Sequence, residues 1–223
     1  MKLFTHSYQQ KKALSFRQKR FILFLNKLND LKVPIKILDI GGTQKFWNEM
    51  SFIPEEGVEI VLLNLQEEKE TALGFSSIIG SATDLSEFSD NSFDIIFSNS
   101  VIEHLYNFEN QVKMANEVMR VGKFFFVQCP NKFFLIEPHF NLPFFQFYPF
   151  WLKFIIMKHS KLVRGRKHNM EEIHRAHNEI QLLSYSDLSK LFPGSSIYKE
   201  KIFGFTKSFI VNNMEFDKIN PNK

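Results

Sequence analysis

The sequence predicts an α/β fold built on a mostly parallel sheet, and three features carry that prediction. Strand-like and helix-like segments alternate over residues 35–130, an order that requires crossover connections. The best-marked strand, Ile35–Ile40, is apolar on both faces, as a strand covered by helices on two sides is. It carries Asp39 near its end and runs into Gly41 and Gly42. Paired glycines turn a chain sharply and expose bare backbone to a ligand. Open α/β sheets bind their ligands at this carboxyl edge.

The other elements follow in order. Residues Tyr8–Leu31 read as a basic amphipathic helix, with Phe21, Leu25 and Leu28 on one face. Lys11, Lys12, Arg17, Lys19 and Arg20 fall on its polar, solvated side. A short helix over Gln44–Met50 follows the glycine turn. Val58–Leu63 is a second strand ending at Asn64, and Phe75–Ala82 is a weaker third. Asp90-Asn91-Ser92 is a turn before the fourth strand, Phe93–Phe97. Val101–Arg120 reads as a helix with a break near Asn107, and Lys123–Cys129 as a fifth strand stopped by Pro130. The aromatic-rich stretch Phe133–Met157, interrupted by Pro138, Pro143 and Pro149, reads as an inserted helical cap or loop over the ligand edge. Glu137, His139, Lys153 and the prolines argue against a membrane span there. A basic run occupies Lys161–His177. Tyr185–Phe192 is a helix with Ser184 as its cap residue. Ile197–Phe203 and Phe205–Val211 form an antiparallel pair about Gly204.

Composition narrows the class. A chain of 223 residues suffices for one large α/β domain with a full core. Its 44% hydrophobic and 23% charged content excludes a disordered chain. A diffuse net charge of +4 is too weak to imply nucleic acid, and no such partner is expected. The single cysteine, Cys129, excludes an internal disulfide and fits a reducing compartment. At the end of an apolar run it reads as a buried, inert thiol. No apolar stretch with a cleavage site marks a signal peptide. The expected location is therefore cytoplasmic, with peripheral contact at the inner face of the membrane as the alternative.

The motifs I-L-D-I-G-G-T, V-L-L-N-L, G-S-A-T-D-L and N-S-F-D-I-I-F-S-N-S-V-I-E-H-L stand in the order and spacing of a known family. Together they resemble the class I S-adenosylmethionine-dependent methyltransferases, of the type 11 and type 23 kind. The resemblance implies a Rossmann-like, doubly wound sheet of seven strands, mostly parallel, with an antiparallel C-terminal hairpin. It implies a single domain over residues 1–223, with an N-terminal helical segment at 1–31 and an inserted substrate segment at 131–180. S-adenosylmethionine is the implied cofactor. The first motif would hold its methionine end (Asp39, Gly41, Gly42, Thr43). The second would hold the ribose (Asn64, Leu65), and the third the adenine side (Ala82, Thr83, Asp84). Ser98 and Asn99 close the implied cofactor set. Two departures stand out. Thr43, Gln44 and Lys45 replace further glycines, and Asn64 replaces the acid that accepts the ribose hydroxyls. Glu67 or Glu68 would substitute if its loop folded back.

Methyl transfer from a sulfonium is an in-line displacement, so alignment supplies much of the acceleration. A hydroxyl acceptor also needs a base. His104 is the first candidate, with Glu103 beside it. On a helix the two would diverge by about 100°, leaving one to face the ligand. His139 is the alternative base, and Glu137 would bind sugar hydroxyls. His168, His174, His177, Arg164, Arg166 and Arg175 form a basic cluster, in which Arg175 and His177 would bind phosphate of an acceptor. Some relatives bind a divalent metal through a Glu-x-x-Glu-His pattern. Here its first carboxylate is Ser100, so no metal is expected. The segments P-N-K-F-F-L-I-E-P-H-F-N-L-P-F-F, H-N-E-I-Q-L-L-S-Y and G-F-T-K-S-F resemble methyltransferases associated with bacterial surface-polysaccharide biosynthesis. That resemblance implies O-methylation of a sugar, a glycan precursor or a lipid-linked intermediate. A lipid or quinone acceptor at the membrane and a non-catalytic partner protein are the competing readings. Nucleic-acid methylation is disfavoured because Ser98-Asn99-Ser100-Val101 stands where an Asn/Asp-Pro-Pro-aromatic tetrad would act on a base amine.

Overall fold

A computed structural model describes residues 15–68, 72–163 and 165–214. Its elements are α1 (Phe16–Leu28), β1 (Ile35–Ile40), α2 (Gln44–Glu49), β2 (Val58–Asn64), β3 (Phe75–Ile79), β4 (Phe93–Asn99), a 3₁₀ turn (Ile102–His104), α3 (Phe108–Val121) and β5 (Gly122–Pro130). There follow β6 (Ile136–Glu137), β7 (Leu142–Pro143), a 3₁₀ turn (Phe145–Phe147), α4 (Phe150–His159), α5 (Met170–Glu179), α6 (Tyr185–Leu191), β8 (Ser196–Ile202) and β9 (Phe205–Asn212). Seven strands form one sheet in the order β3-β2-β1-β4-β5-β9-β8, a Rossmann-like mixed sheet ending in the C-terminal hairpin. β6 and β7 make a separate two-stranded ribbon.

The chain divides into two compact units. The first comprises Met1–Asn99, Glu117–Phe126 and Asn212–Lys223. In it, β1 lies parallel to both β2 and β4, with Ile37 opposite Ile60 and Ile95. These strands are nearly all buried, as the unbroken apolar runs predict. An aromatic cluster lies over them. Phe21 and Phe24 of α1, Trp47 of α2, Phe97 of β4 and Phe126 of β5 are all buried, with Phe24 and Phe97 centred 4.7 Å apart. Ser15 and Gln18 form a reciprocal cap at the start of α1. The part of the expected N-terminal helix before residue 15 lies outside the described residues. Arg120 binds the carbonyls of Leu85 and Phe88 and the carboxylates of Asp90 and Glu117, which fixes the loop leading into β4.

The second unit comprises Ser100–Asn116 and Val127–Val211. Its core gathers Phe140, Phe145, Met157, Val163 and Ile173. Here two expectations are corrected. The helix expected from Val101 is instead a 3₁₀ turn, flanked by left-handed residues Ser100 (φ 61°) and Tyr106 (φ 65°), with α3 starting only at Phe108. The Asn107 side chain accepts from Asn110 N at 2.8 Å, so the residue marking the break caps the new helix. The aromatic segment expected as a helical cap or loop begins with the β6–β7 ribbon before it becomes α4. Gln111 of α3 donates to the carbonyls of Ile102 and Gln181, tying the 3₁₀ turn to the chain after α5. Cys129 is buried, as expected. The third strand of the sheet stops at Ile79, three residues short of expectation, and the chain then turns through a Ser81–Asp84 bridge.

Candidate functional site

In the first unit, the end of β1 opens into a cavity of about 310 Å³. Asp39, Gly41, Gly42, Thr43, Phe46, Phe97 and Asn99 line it, together with Arg17, Lys45 and Glu49. Gly41 has a φ of 71°, the left-handed turn that favours glycine. A Cβ on Gly42 would lie 1.7 Å from Asp39 Oδ2, so only glycine lets the carboxylate sit against the turn. Thr43 caps α2 by accepting from Phe46 N at 3.2 Å. The Asp39 carboxylate is buried and accepts from Trp47 Nε1 at 2.7 Å. Burial pushes its pKa up to about 8; the Trp47 hydrogen bond opposes the shift and the nearby Glu68 carboxylate adds to it.

Asn64 donates through Nδ2 to the carbonyl of Gly42 at 2.7 Å. The loop after β2 does fold back. Glu68 accepts from Gln44 N at 3.1 Å, and its own amide donates to Ser77. Asn99 Oδ1 accepts from Arg20 at 2.5 Å, and Arg17 pairs with Glu49 at 3.3 Å across the cavity wall. Ser98 is buried beneath, its hydroxyl donating to Ile40 O at 3.4 Å. Leu65 is exposed, and Ala82, Thr83 and Asp84 form a turn of their own that does not line the cavity. Arg17, Lys45, Phe46, Glu49 and Phe97 were not expected from the sequence.

In the second unit, Glu103, His104 and His139 each bring a ligand-type atom within 4.8 Å of the others. Glu103 and His104 lie in the 3₁₀ turn, not in α3. Each imidazole is anchored by a carboxylate at Nδ1, His104 by Glu179 at 3.1 Å and His139 by Glu137 at 2.6 Å. The rings meet edge to face with centroids 4.9 Å apart. Burial and the facing His139 hold the His104 pKa below its usual value. Glu137 is buried and also accepts from Phe140 N at 2.8 Å.

Glu137 continues into a cavity of about 260 Å³ lined by Phe140, Phe145, Phe147, Lys132, Lys153 and His177 among others. Lys153 lies over the Phe145 ring and donates to Gln146 O at 3.2 Å; burial lowers its pKa. His177, tilted against Phe150 with centroids 4.8 Å apart, is also shifted down, first by burial and then by Lys153. The expected basic cluster is dispersed. Arg175 pairs with Glu171 and Arg166 with Glu172, both exposed. His168 is buried against Val163 O, His174 packs on Phe150, and Arg164 lies outside the described residues. Among the described residues of this group, only His177 lines the cavity.

The family model for the methyltransferase domain matches residues 53–127, a stretch that runs from β2 into β5 and leaves out the glycine turn. Two curated proteins of Mycobacterium tuberculosis, both uncharacterised, are 40% identical over 57 residues. That stretch is 26% of this chain and 20% of theirs, so the match spans about a fifth of the curated relatives. Among solved structures, the 1,6-didemethyltoxoflavin-N1-methyltransferase of Burkholderia thailandensis, bound to 1,6-didemethyltoxoflavin and S-adenosylhomocysteine, aligns with a TM-score of 0.51 and 11% identity. The alignment covers 88% of this chain and 77% of that one. A Rhodobacter sphaeroides chain named for a zinc-dependent alcohol dehydrogenase aligns equally well, at a TM-score of 0.51 and 10% identity over 90% of both chains. At these identities the likeness is one of fold.

Proposed function

We propose that this chain, which carries a class I S-adenosylmethionine-dependent methyltransferase domain, moves the cofactor's methyl group to a hydroxyl of a sugar or glycan precursor. The cofactor's amino-acid end fits the glycine turn. Its ammonium would meet the buried Asp39 carboxylate, which gives up on binding the proton that burial favours. Its backbone atoms would pass over Gly42, where no side chain intrudes. Asn64 keeps the turn in shape through Gly42 O, so it acts by positioning the backbone that the cofactor meets. Glu68 takes the place of the expected acid near the turn. When bound, the cofactor supplies an electrophilic methyl group on a sulfonium.

The single observation that carries transfer to a hydroxyl is the convergence of Glu103, His104 and His139. Two imidazoles and a carboxylate are the groups that activate an acceptor O–H. Beside them, the aromatic walls suit a sugar face. Lys132, Lys153 and His177 suit the phosphate of an activated or lipid-linked acceptor. The assignment to surface-polysaccharide biosynthesis rests on the resemblance of the segments around residues 130–145, 177–185 and 204–209. A labelled-methyl assay on nucleotide sugars tests it. Incorporation that falls about 100-fold in His139→Gln supports the reading. Absence of transfer to any sugar acceptor, from protein that binds S-adenosylhomocysteine, overturns the glycan assignment.

A second reading has its own observation. Phe133, Phe144, Phe147 and Trp151 all stand exposed on the inserted segment. Such a patch suits a lipid or quinone acceptor at a membrane surface. Among the described residues no helix is long and apolar enough to cross a membrane. Sedimentation with anionic vesicles would favour this reading, and its absence would leave the glycan reading ahead. The non-catalytic partner reading requires that no methyl acceptor be found at all.

A further inference from the structure

We infer that Glu103, His104 and His139 hold a divalent transition-metal ion. Metal–ligand bonds to imidazole and carboxylate are about 2.0–2.2 Å long, so two ligand atoms on one ion stand roughly 3–4 Å apart. The three side chains already approach this arrangement, with a ligand-type atom of each within 4.8 Å of the others. Two of them come from the 3₁₀ turn after β4, and the third from the tip of the β6–β7 ribbon.

The surrounding hydrogen bonds prepare the rings for an ion. A metal-binding histidine donates its other ring nitrogen to a carboxylate or carbonyl, which fixes its tautomer and direction. Both rings have this partner: Glu179 for His104 Nδ1 and Glu137 for His139 Nδ1. With Nδ1 so engaged, Nε2 of each ring would serve the ion. The supports are themselves held. Glu137 accepts from Phe140 N, the Glu103 carbonyl accepts from Gln181 N at 2.7 Å, and Gln111 holds Ile102 O. Ser100 takes no part, because its hydroxyl donates to Gln128 Oε1 at 2.9 Å.

The donor set selects the ion. Magnesium and calcium want several oxygen ligands, and only one of the three ligand side chains is a carboxylate. Two imidazoles and one carboxylate suit zinc, iron, cobalt or manganese, and leave coordination positions open. The ion's role rests on the proposed transfer to a hydroxyl; its binding does not. An acceptor oxygen in an open position would lose its proton to bulk water. That oxygen then forms the new O–C bond as the C–S bond of the sulfonium breaks, with the electron pair staying on sulfur. Glu103 and the two histidines would thus activate the acceptor as ligands instead of as bases.

The test titrates the metal-stripped full chain with Zn²⁺ and with Co²⁺, reading heat and the Co²⁺ ligand-field absorption. One ion per chain with nitrogen-ligand bands is expected. His139→Ala and His104→Ala should abolish it, and Glu179→Gln, which changes only the support of one ring, should weaken it by about 10–100-fold. The absence of stoichiometric binding, or binding unchanged in Glu179→Gln and His139→Ala proteins of native circular dichroism, overturns the inference. Methyl transfer that persists undiminished in a strong chelator also overturns the ion while leaving the transfer reading intact. Stoichiometric ion binding by a protein that methylates no acceptor supports the site and overturns the transfer reading.

Discussion

Trp47 donates its indole N–H to the carboxylate of Asp39 at 2.7 Å, and both side chains are buried. This bond ties α2 to the end of β1 and holds the carboxylate beneath the glycine turn. It is worth more than a surface hydrogen bond because its loss strands a buried acid. Trp47→Phe keeps the aromatic packing and removes the donor. It should cost about 1–3 kcal/mol in denaturant unfolding and push the Asp39 pKa higher still.

Asp39 should make cofactor binding depend on pH. Its pKa is raised to about 8 in the folded protein, against roughly 3.9 in an unfolded chain. Between those values the folded state holds the extra proton, so this group makes stability fall as pH rises from about 4 to 8. A cationic ligand needs the carboxylate, so the sign reverses for binding. S-adenosylhomocysteine should bind more tightly as pH rises from 6 towards 8, releasing a proton. Calorimetry in buffers of different ionisation enthalpy reads that proton directly. A flat pH profile without proton release would remove Asp39 from the cofactor's ammonium.

Gly42→Ala should abolish cofactor binding. Its Cβ would lie 1.7 Å from Asp39 Oδ2, so either the acid or the turn must move. Gly41→Ala differs in kind, since it strains the backbone at a φ of 71°. Thermal unfolding with and without S-adenosylhomocysteine separates the two: ligand-induced stabilisation should vanish in Gly42→Ala.

Restoring an acid at position 64 should weaken binding. The Asn64 amide donates to Gly42 O, and a carboxylate has no proton to donate there. Asn64→Asp should lose about 1 kcal/mol or more of turn stability, roughly fivefold in S-adenosylhomocysteine affinity. Tighter binding would mean that the family's acid role is open to this position after all.

Lys153 should act on acceptor affinity. It lines the second unit's cavity with its charge partly desolvated. Lys153→Met should raise KM for a phosphate-bearing acceptor by about tenfold with kcat unchanged, the pattern of lost uniform binding. An unchanged KM would place the anionic group elsewhere.

The strands were legible because each is an apolar run closed by turn residues. β1 has the expected bounds, and β2, β4, β5 and β9 extend their expected runs by one or two residues. The break at Asn107 was visible, but the 3₁₀ turn before it depends on left-handed Ser100 and Tyr106, which no propensity marks. Glycine turn, Asp39 and Asn99 were legible as one site because they close successive strands of one sheet. Arg17 and Glu49 were not, since a charge on a helix reads as solvated until tertiary structure turns it to a cavity. His104 and His139 were each named from sequence, yet chain order carries no distance, and their meeting at 4.9 Å was beyond its reach. The partner that Arg175 takes, Glu171, was legible in the Glu171-x-x-x-Arg175 spacing.

The most direct test of the account is calorimetric titration of the full chain with S-adenosylhomocysteine at pH 8, beside Gly42→Ala. Saturable binding at one site per chain, lost in the variant, is expected. A folded wild-type protein that takes up no S-adenosylhomocysteine would contradict it.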